Sequence, residues 1–276
     1  MRHLALFARE ELTLALRSRW TQIFAAVFGV LAVAVAGAGY VLSGGHGVQD
    51  FARTAVSLVQ LVLLLVPLTA LVIGVLSLAP ERGAAELLFS QPVSRRTILL
   101  GKLLGLFQAL AAAQAVGFGA AGLVVYAQAG PEGLFGFLVL VLGSLVTTAV
   151  FLGIAALLSA GAIGRRRTRA LALALVVWFA AVVLVDLAAL GLASLLPSGT
   201  ASRVLMVSVI LNPVGAVRTG TLLAVEGTGA FGAASLAFFR FTRGALGAGI
   251  ALVLSLVVWM VVPVLLAERR LRRADV

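Results

Sequence analysis

Cysteine is absent from the 276 residues, so disulfides, thiolate metal ligands and cysteine nucleophiles are all excluded. Histidine and methionine are scarce and scattered, at His3, His46, Met1, Met206 and Met260. Handling a soft metal normally takes clustered thiolate, thioether or imidazole groups, and the sequence offers no such cluster. Charge of either sign is thin, at 11% of residues against about 25% in an ordinary soluble domain. Acids are the rarer kind, 10 against 21 Lys and Arg. What remains is apolar: 62% of the residues, with a mean hydropathy of +1.16. Such a chain takes the bilayer as its solvent.

A spanning helix needs about 20 predominantly apolar residues. Six stretches qualify: Trp20 to Leu42, Thr54 to Ala79, Leu103 to Ala127, Phe135 to Ala160, Ala170 to Leu196 and Ala245 to Ala267. None contains Lys or Arg, and only the fifth holds an acid, Asp186. The fold class predicted is all-α, a polytopic membrane protein with one transmembrane domain over residues 1–276. Four cations lie in each of the N-terminal arm, the loop before the third span, the loop before the fifth span and the C-terminal tail. The other five are Arg53, Arg203, Arg218, Arg240 and Arg243. The positive-inside rule puts the sixteen in the cytoplasm, with both termini, in a bacterial inner membrane. The net charge of +11 is thus a topology signal, and nucleic acid is not an expected partner.

Residues 1–19 project as an amphipathic elbow helix on the membrane surface. Arg2, Arg9, Glu10, Thr13 and Arg17 fall on one face, and Leu4, Ala8, Leu12 and Leu16 largely on another, interrupted by Glu11 and Arg19. The first apolar stretch is too long for a signal-peptide core of about 7–15 residues. Between the last two spans, residues 197–244 form a periplasmic or re-entrant loop. Its run Val204 to Leu211 is too short to span and should break at Asn212-Pro213, because proline disfavours helical geometry in the residue before it.

The loop over residues 80–102 reads as a short helix at 84–90, stopped at Gln91-Pro92, then a new helix capped by Ser94 that continues through Lys102 into the third span. Its order of an acid, Gly, Glu-Leu-Leu, Pro, Ser-Arg and Gly-Lys resembles the coupling segment of type-2 ABC exporter permeases. The resemblance implies that the helix seats in a cytoplasmic ABC ATPase, with Glu81, Arg82, Gly83, Glu86, Pro92, Ser94, Arg95, Arg96 and Lys102 as the coupling set. Gly101-Lys102 fails the Walker A template, since position 96 is Arg and 103 is Leu. No cofactor is expected on this chain; ATP and Mg would belong to the partner ATPase. The resemblance also implies pairing with a second copy and no catalytic role. The arginines at 165, 166, 167 and 169 read as contacts to anionic membrane lipids, at about 1 kcal/mol each, or as a smaller ATPase contact.

Within that superfamily the chain resembles more closely the NosY permeases, which serve in maturing the copper centres of nitrous oxide reductase. The residues that carry this are Ala8-Arg9-Glu10-Glu11-Leu12, Leu16 to Trp20, Val177-Trp178-Phe179, Leu184 to Leu187, and Ile210-Leu211-Asn212-Pro213 with Arg218. Where an acid is expected after Asn-Pro-x, Gly215 stands instead. The likeness implies a NosF-like ATPase and a periplasmic NosD-like protein that meets Asn212, Pro213 and Arg218. A general exporter of a drug, lipid or other small molecule is the alternative. A membrane hydrolase would need a buried Ser-His or Asp-Asp pair, and no span holds one. Asp186 has two open roles. It marks a substrate or proton pathway, or it hydrogen-bonds Gln108, Gln114, Thr147 or Thr148 of the third and fourth spans.

Overall fold

Backbone amides and carbonyls cannot go unpaired in hydrocarbon, which leaves helices as the way for so apolar a chain to cross it. The computed structural model describes residues 2–43, 48–79, 93–160, 166–226, 241–242 and 244–273. The helix expected at 84–90 and the residues Glu81, Arg82, Gly83, Glu86 and Pro92 lie outside the described residues. Nine helices follow one another among those described. They are α1 (Arg2–Arg17), α2 (Arg19–Ser43), α3 (Val48–Leu78), α4 (Arg95–Ala127), α5 (Gly133–Ser159), α6 (Arg167–Ser194), α7 (Ser198–Leu211), α8 (Pro213–Glu226) and α9 (Ala245–Arg273).

Helices α2 to α6 and α9 are long and apolar enough to cross a membrane, which matches the six stretches read from the sequence. The third begins about two turns earlier than its apolar core, because Ser94 caps the chain there. The Ser94 hydroxyl accepts from the Thr97 amide at 3.2 Å, a contact of the kind that contributes about 1 kcal/mol. Helices α4 and α5 follow closely in the chain and fold back on each other at Gly130, so that Phe118 meets Phe137 and Gln114 meets Thr148. The Gly130 φ of 64° and ψ of −160° belong to a region that only glycine enters without strain.

The core forms around α3 and α5. Leu58, Val66, Ala70, Leu71 and Val75 of α3 and Val150, Phe151 and Ala155 of α5 are fully buried. An aromatic ladder ties α2 to this core. Phe28 meets Phe118 edge-on with ring centroids 5.0 Å apart, and Phe118 meets Phe137 at 5.8 Å. By contrast only 11% of the spanning window of α6 is buried, against 50% for α3 and 56% for α5. The fifth span is the most peripheral of the six.

Helix α1 does not simply float on the membrane surface. It lies against the start of α4, where two glycines remove the side chains that would hold it off. A Cβ on Gly101 would stand 2.6 Å from the Phe7 Cβ, and one on Gly105 would stand 2.4 Å from the Ala8 carbonyl oxygen. Ala8, Glu11 and Ala15 face inward, while Leu6, Leu14 and Leu16 remain exposed. The spacing Gly101-x-x-x-Gly105 is therefore a seat for α1.

Gly105→Ala should force α1 off this seat and cost about 1–3 kcal/mol, as overpacking does. Gly119→Ala, where nothing lies within 4 Å of an added Cβ, should be close to neutral. Thermal unfolding of the two variants in detergent, scored with protease cutting at α1, checks this; equal unfolding temperatures would count against the seat.

Candidate functional site

A helix leaves its last carbonyls without amide partners and carries a partial negative charge at that end. Helices α3, α5 and α9 all end at the face of the bundle where α4 and α6 begin. Each receives a cation from another helix. Arg167 at the start of α6 donates to the Leu76 carbonyl at 2.8 Å, and Lys102 of α4 donates to Ser77 at 3.3 Å, both in the last turn of α3. Arg270 of α9 donates to Leu157 of α5 at 3.3 Å. Arg95 of α4 donates to Leu271 of α9 at 2.5 Å. Four of the sixteen clustered cations thus cap helix ends.

Residues 94–102, the described root of the predicted coupling segment, are held from three sides by these contacts. Arg95 and Arg96 face the end of α9, where Glu268 lies 3.6 Å from Arg96 and also pairs with Arg272. Lys102 reaches Glu11 of α1 at 3.2 Å, and the Ser77 hydroxyl of α3 donates to the other oxygen of that carboxylate. Glu11 is 5% exposed. From the sequence it interrupts the apolar face of α1 and belongs to the Ala8-to-Leu12 stretch of the NosY resemblance, with no partner assigned. A charged residue on such a face needs a partner, and that signal was available. Glu268 and Ser77 carried no comparable mark in the sequence.

A second polar site lies deeper in the bundle. Helices α7 and α8 meet at an angle of 99°, broken at Asn212-Pro213 as the sequence predicts. The break frees backbone groups, and side chains take them up. The Asn212 side chain accepts from the Val214 amide at 3.1 Å and donates to the Ala181 carbonyl at 2.7 Å. Ala181 lies in a π-helical turn of α6, Ala180–Leu184. On the other side of the break, Ser255 donates to Ile210 and Trp259 donates to Leu211 at 3.1 Å. Asn212 is 3% exposed, and Pro213 is buried. These two residues line the inside of the bend between α7 and α8. Gly215 fits closely there, since an added Cβ would stand 3.3 Å from the Val209 Cα.

The turn carries Arg218 to Asp186 of α6, where Nη1 and Oδ2 are 2.5 Å apart and the side chains are 33% and 31% exposed. The hydrogen-bond partners expected for Asp186 are engaged elsewhere. Gln114 donates to Thr148 at 2.7 Å and accepts from Ser144 at 2.5 Å, which joins α4 to α5. Gln108 is exposed. The reason is chemical: a carboxylate at this depth is best satisfied by a cation, and the bend at Asn212 delivers one.

Arg218→Ala should leave Asp186 charged and unpaired. Loss of one partner from a fully buried pair costs about 3–5 kcal/mol. With a third of each side chain exposed, we expect about 1–2 kcal/mol here once solvent screening is counted. Asp186→Asn with Arg218→Gln should recover most of that loss. Unfolding of the single and double variants measures it, and additive losses would show that the pair contributes nothing.

Comparison with known proteins gives these contacts a setting. A family model described as ABC-2 family transporter protein matches residues 5–276. A probable ABC transporter permease protein NosY of Stutzerimonas stutzeri is 35% identical over 275 residues, covering 96% of each chain. One of the same description from Pseudomonas aeruginosa is 33% identical over 235 residues, covering 83% of this chain and 85% of its own. The chain, with its six spans and its charged root at residues 94–102, belongs to the ABC-2 family of transporter permeases.

Proposed function

We propose that this chain is the non-catalytic membrane subunit of an ATP-driven complex, in which residues 80–102 receive the movement of a separate cytoplasmic ABC ATPase. The supporting observation is the root of that segment. Ser94 caps it, Arg95 and Arg96 bind it to the end of α9, and Lys102 binds it to α1 and α3. A push on such a root moves several helices together. Both termini and this face lie in the cytoplasm of an inner membrane, and the complex holds a second copy of the chain and an ATPase on each. Glu81, Arg82, Gly83, Glu86 and Pro92 supply the ATPase contacts within the segment.

The likeness to NosY permeases supports a narrower role. In it the ATPase is NosF-like, a periplasmic NosD-like protein sits on the outer loops, and the complex serves copper-centre maturation of nitrous oxide reductase. The work of this subunit is then mechanical. His3, His46, Met1, Met206 and Met260 are too few and too scattered to form a soft-metal path, which supports movement over metal passage.

Because the chain has no cysteine, a single Gln91→Cys gives a crosslinking handle without background. In membranes that contain the complex, a short maleimide crosslinker should join position 91 to the ATPase. The product should weaken when ATP closes the ATPase, and the same handle at Leu196, beyond the opposite end of α6, should give none. Crosslinking at 196 and not at 91 would reverse the orientation and defeat the proposal. In vesicles, copper flux that depends on this chain would defeat the mechanical part of it.

A further inference from the structure

The Glu11 carboxylate touches both sides of the segment it does not belong to. One oxygen accepts from the Ser77 hydroxyl, in the last turn of α3, and the other stands 3.2 Å from the Lys102 ammonium on α4. The Lys102 ammonium also donates to the Ser77 carbonyl at 3.3 Å. Residues 77 and 102 lie on either side of the 80–92 stretch in the chain. A single side chain of α1 therefore gathers the two strands of the connection where they leave and enter the bundle. We infer that Glu11 is a positioning residue for energy coupling, and that α1 serves through it as the fulcrum against which a push on residues 80–102 is turned into movement of α3 and α4. This rests on the role proposed above for that segment.

Two physical features favour a working contact over an incidental one. Glu11 is nearly enclosed, and its charge is stable at that depth only with a cation and a hydroxyl beside it. The glycines at 101 and 105 bring the α1 backbone against α4 on both sides of Lys102, so the ion pair sits at the centre of a close helix crossing. A Cβ on Gly105 would meet the Glu11 Cβ at 2.8 Å. The neighbouring acid, Glu10, is exposed, which makes it the natural comparison. A rigid contact between α1 and the two flanks lets displacement pass on; a loose one lets the flanks slip past each other.

The test uses the complete complex with its ATPase in lipid nanodiscs. Glu11→Gln keeps the shape and the acceptor for Ser77 but removes the charge that holds Lys102. The kcat for ATP hydrolysis per assembled complex should fall about fivefold, within the range that substitutions in coupling networks reach. The KM for ATP should not change, since nucleotide binds on the partner. Glu11→Lys with Lys102→Glu should restore at least half of the lost kcat, and Glu10→Gln should leave it as it was. An unchanged kcat in Glu11→Gln overturns the inference. So does a loss of assembly, which would make the pair a folding contact, and so does a swap that fails to restore. The crosslink from position 91 separates the two proposals: if it reaches the ATPase while the Glu11→Gln complex hydrolyses ATP normally, only the role of Glu11 falls.

Discussion

Carbonyl oxygens without an amide partner organise this molecule more than any single charge does. In hydrocarbon each such group costs several kcal/mol, and a bundle produces them wherever a helix ends, kinks or turns back. Several of the described cases here are met by side chains, most of them from another helix. At the face where α3, α5 and α9 end, the donors are Arg167, Lys102, Arg270 and Arg95. Around Pro67 in α3, which removes an amide from the helix, Trp178 donates to Leu64 at 3.0 Å and Thr69 donates to Leu65 and Val66. At the bend between α7 and α8 the donors are Ser255 and Trp259, and at the π-helical turn of α6 the donor is Asn212. Satisfying the backbone is thus also what joins the helices.

The strongly basic character of the chain follows from the same constraint. Three of the four end caps are arginine, whose fork of donors and weak hydration suit it to an interface where carbonyls and water compete. The apolar stem lies along the helix and the charged head reaches the boundary. One set of residues therefore offsets the helix dipoles at the crowded end and cross-links the helices that meet there.

The sequence made the spans legible because hydropathy acts over a whole helix and survives errors of a few residues at either end. The break at Asn212-Pro213 was legible for a local reason, since proline constrains its predecessor wherever it stands. The Ser94 cap was legible in the same way. Pairings between distant residues were not. Asp186 is 32 positions from Arg218, and the two meet only because the bend has the angle it has. From the sequence, Gln114 and Thr148 were equally good partners for Asp186, and nothing local says that they prefer one another. Glu11 is the intermediate case. Its place on an apolar face announced that something charged must lie opposite, without saying that it would be Lys102.

The two polar centres divide the bundle in a way that bears on how it can move. At the capped end, cations tie α1, α3, α4, α5, α6 and α9 into one layer, and the glycine seat at 101 and 105 leaves α1 little room to shift. Away from that layer, α6 packs on α3, where Trp178 donates to Leu64, and is tied to the bend between α7 and α8 by the Asn212 contact to Ala181 in its π-helical turn and by the part-exposed pair of Asp186 and Arg218. A π-turn has already given up regular hydrogen bonding, so it can reseat at lower cost than an intact helix. A partly exposed ion pair in a span is poorly served by lipid and calls for protein or water against it. Both features put the adaptable side of the molecule on its least buried span, away from the capped layer.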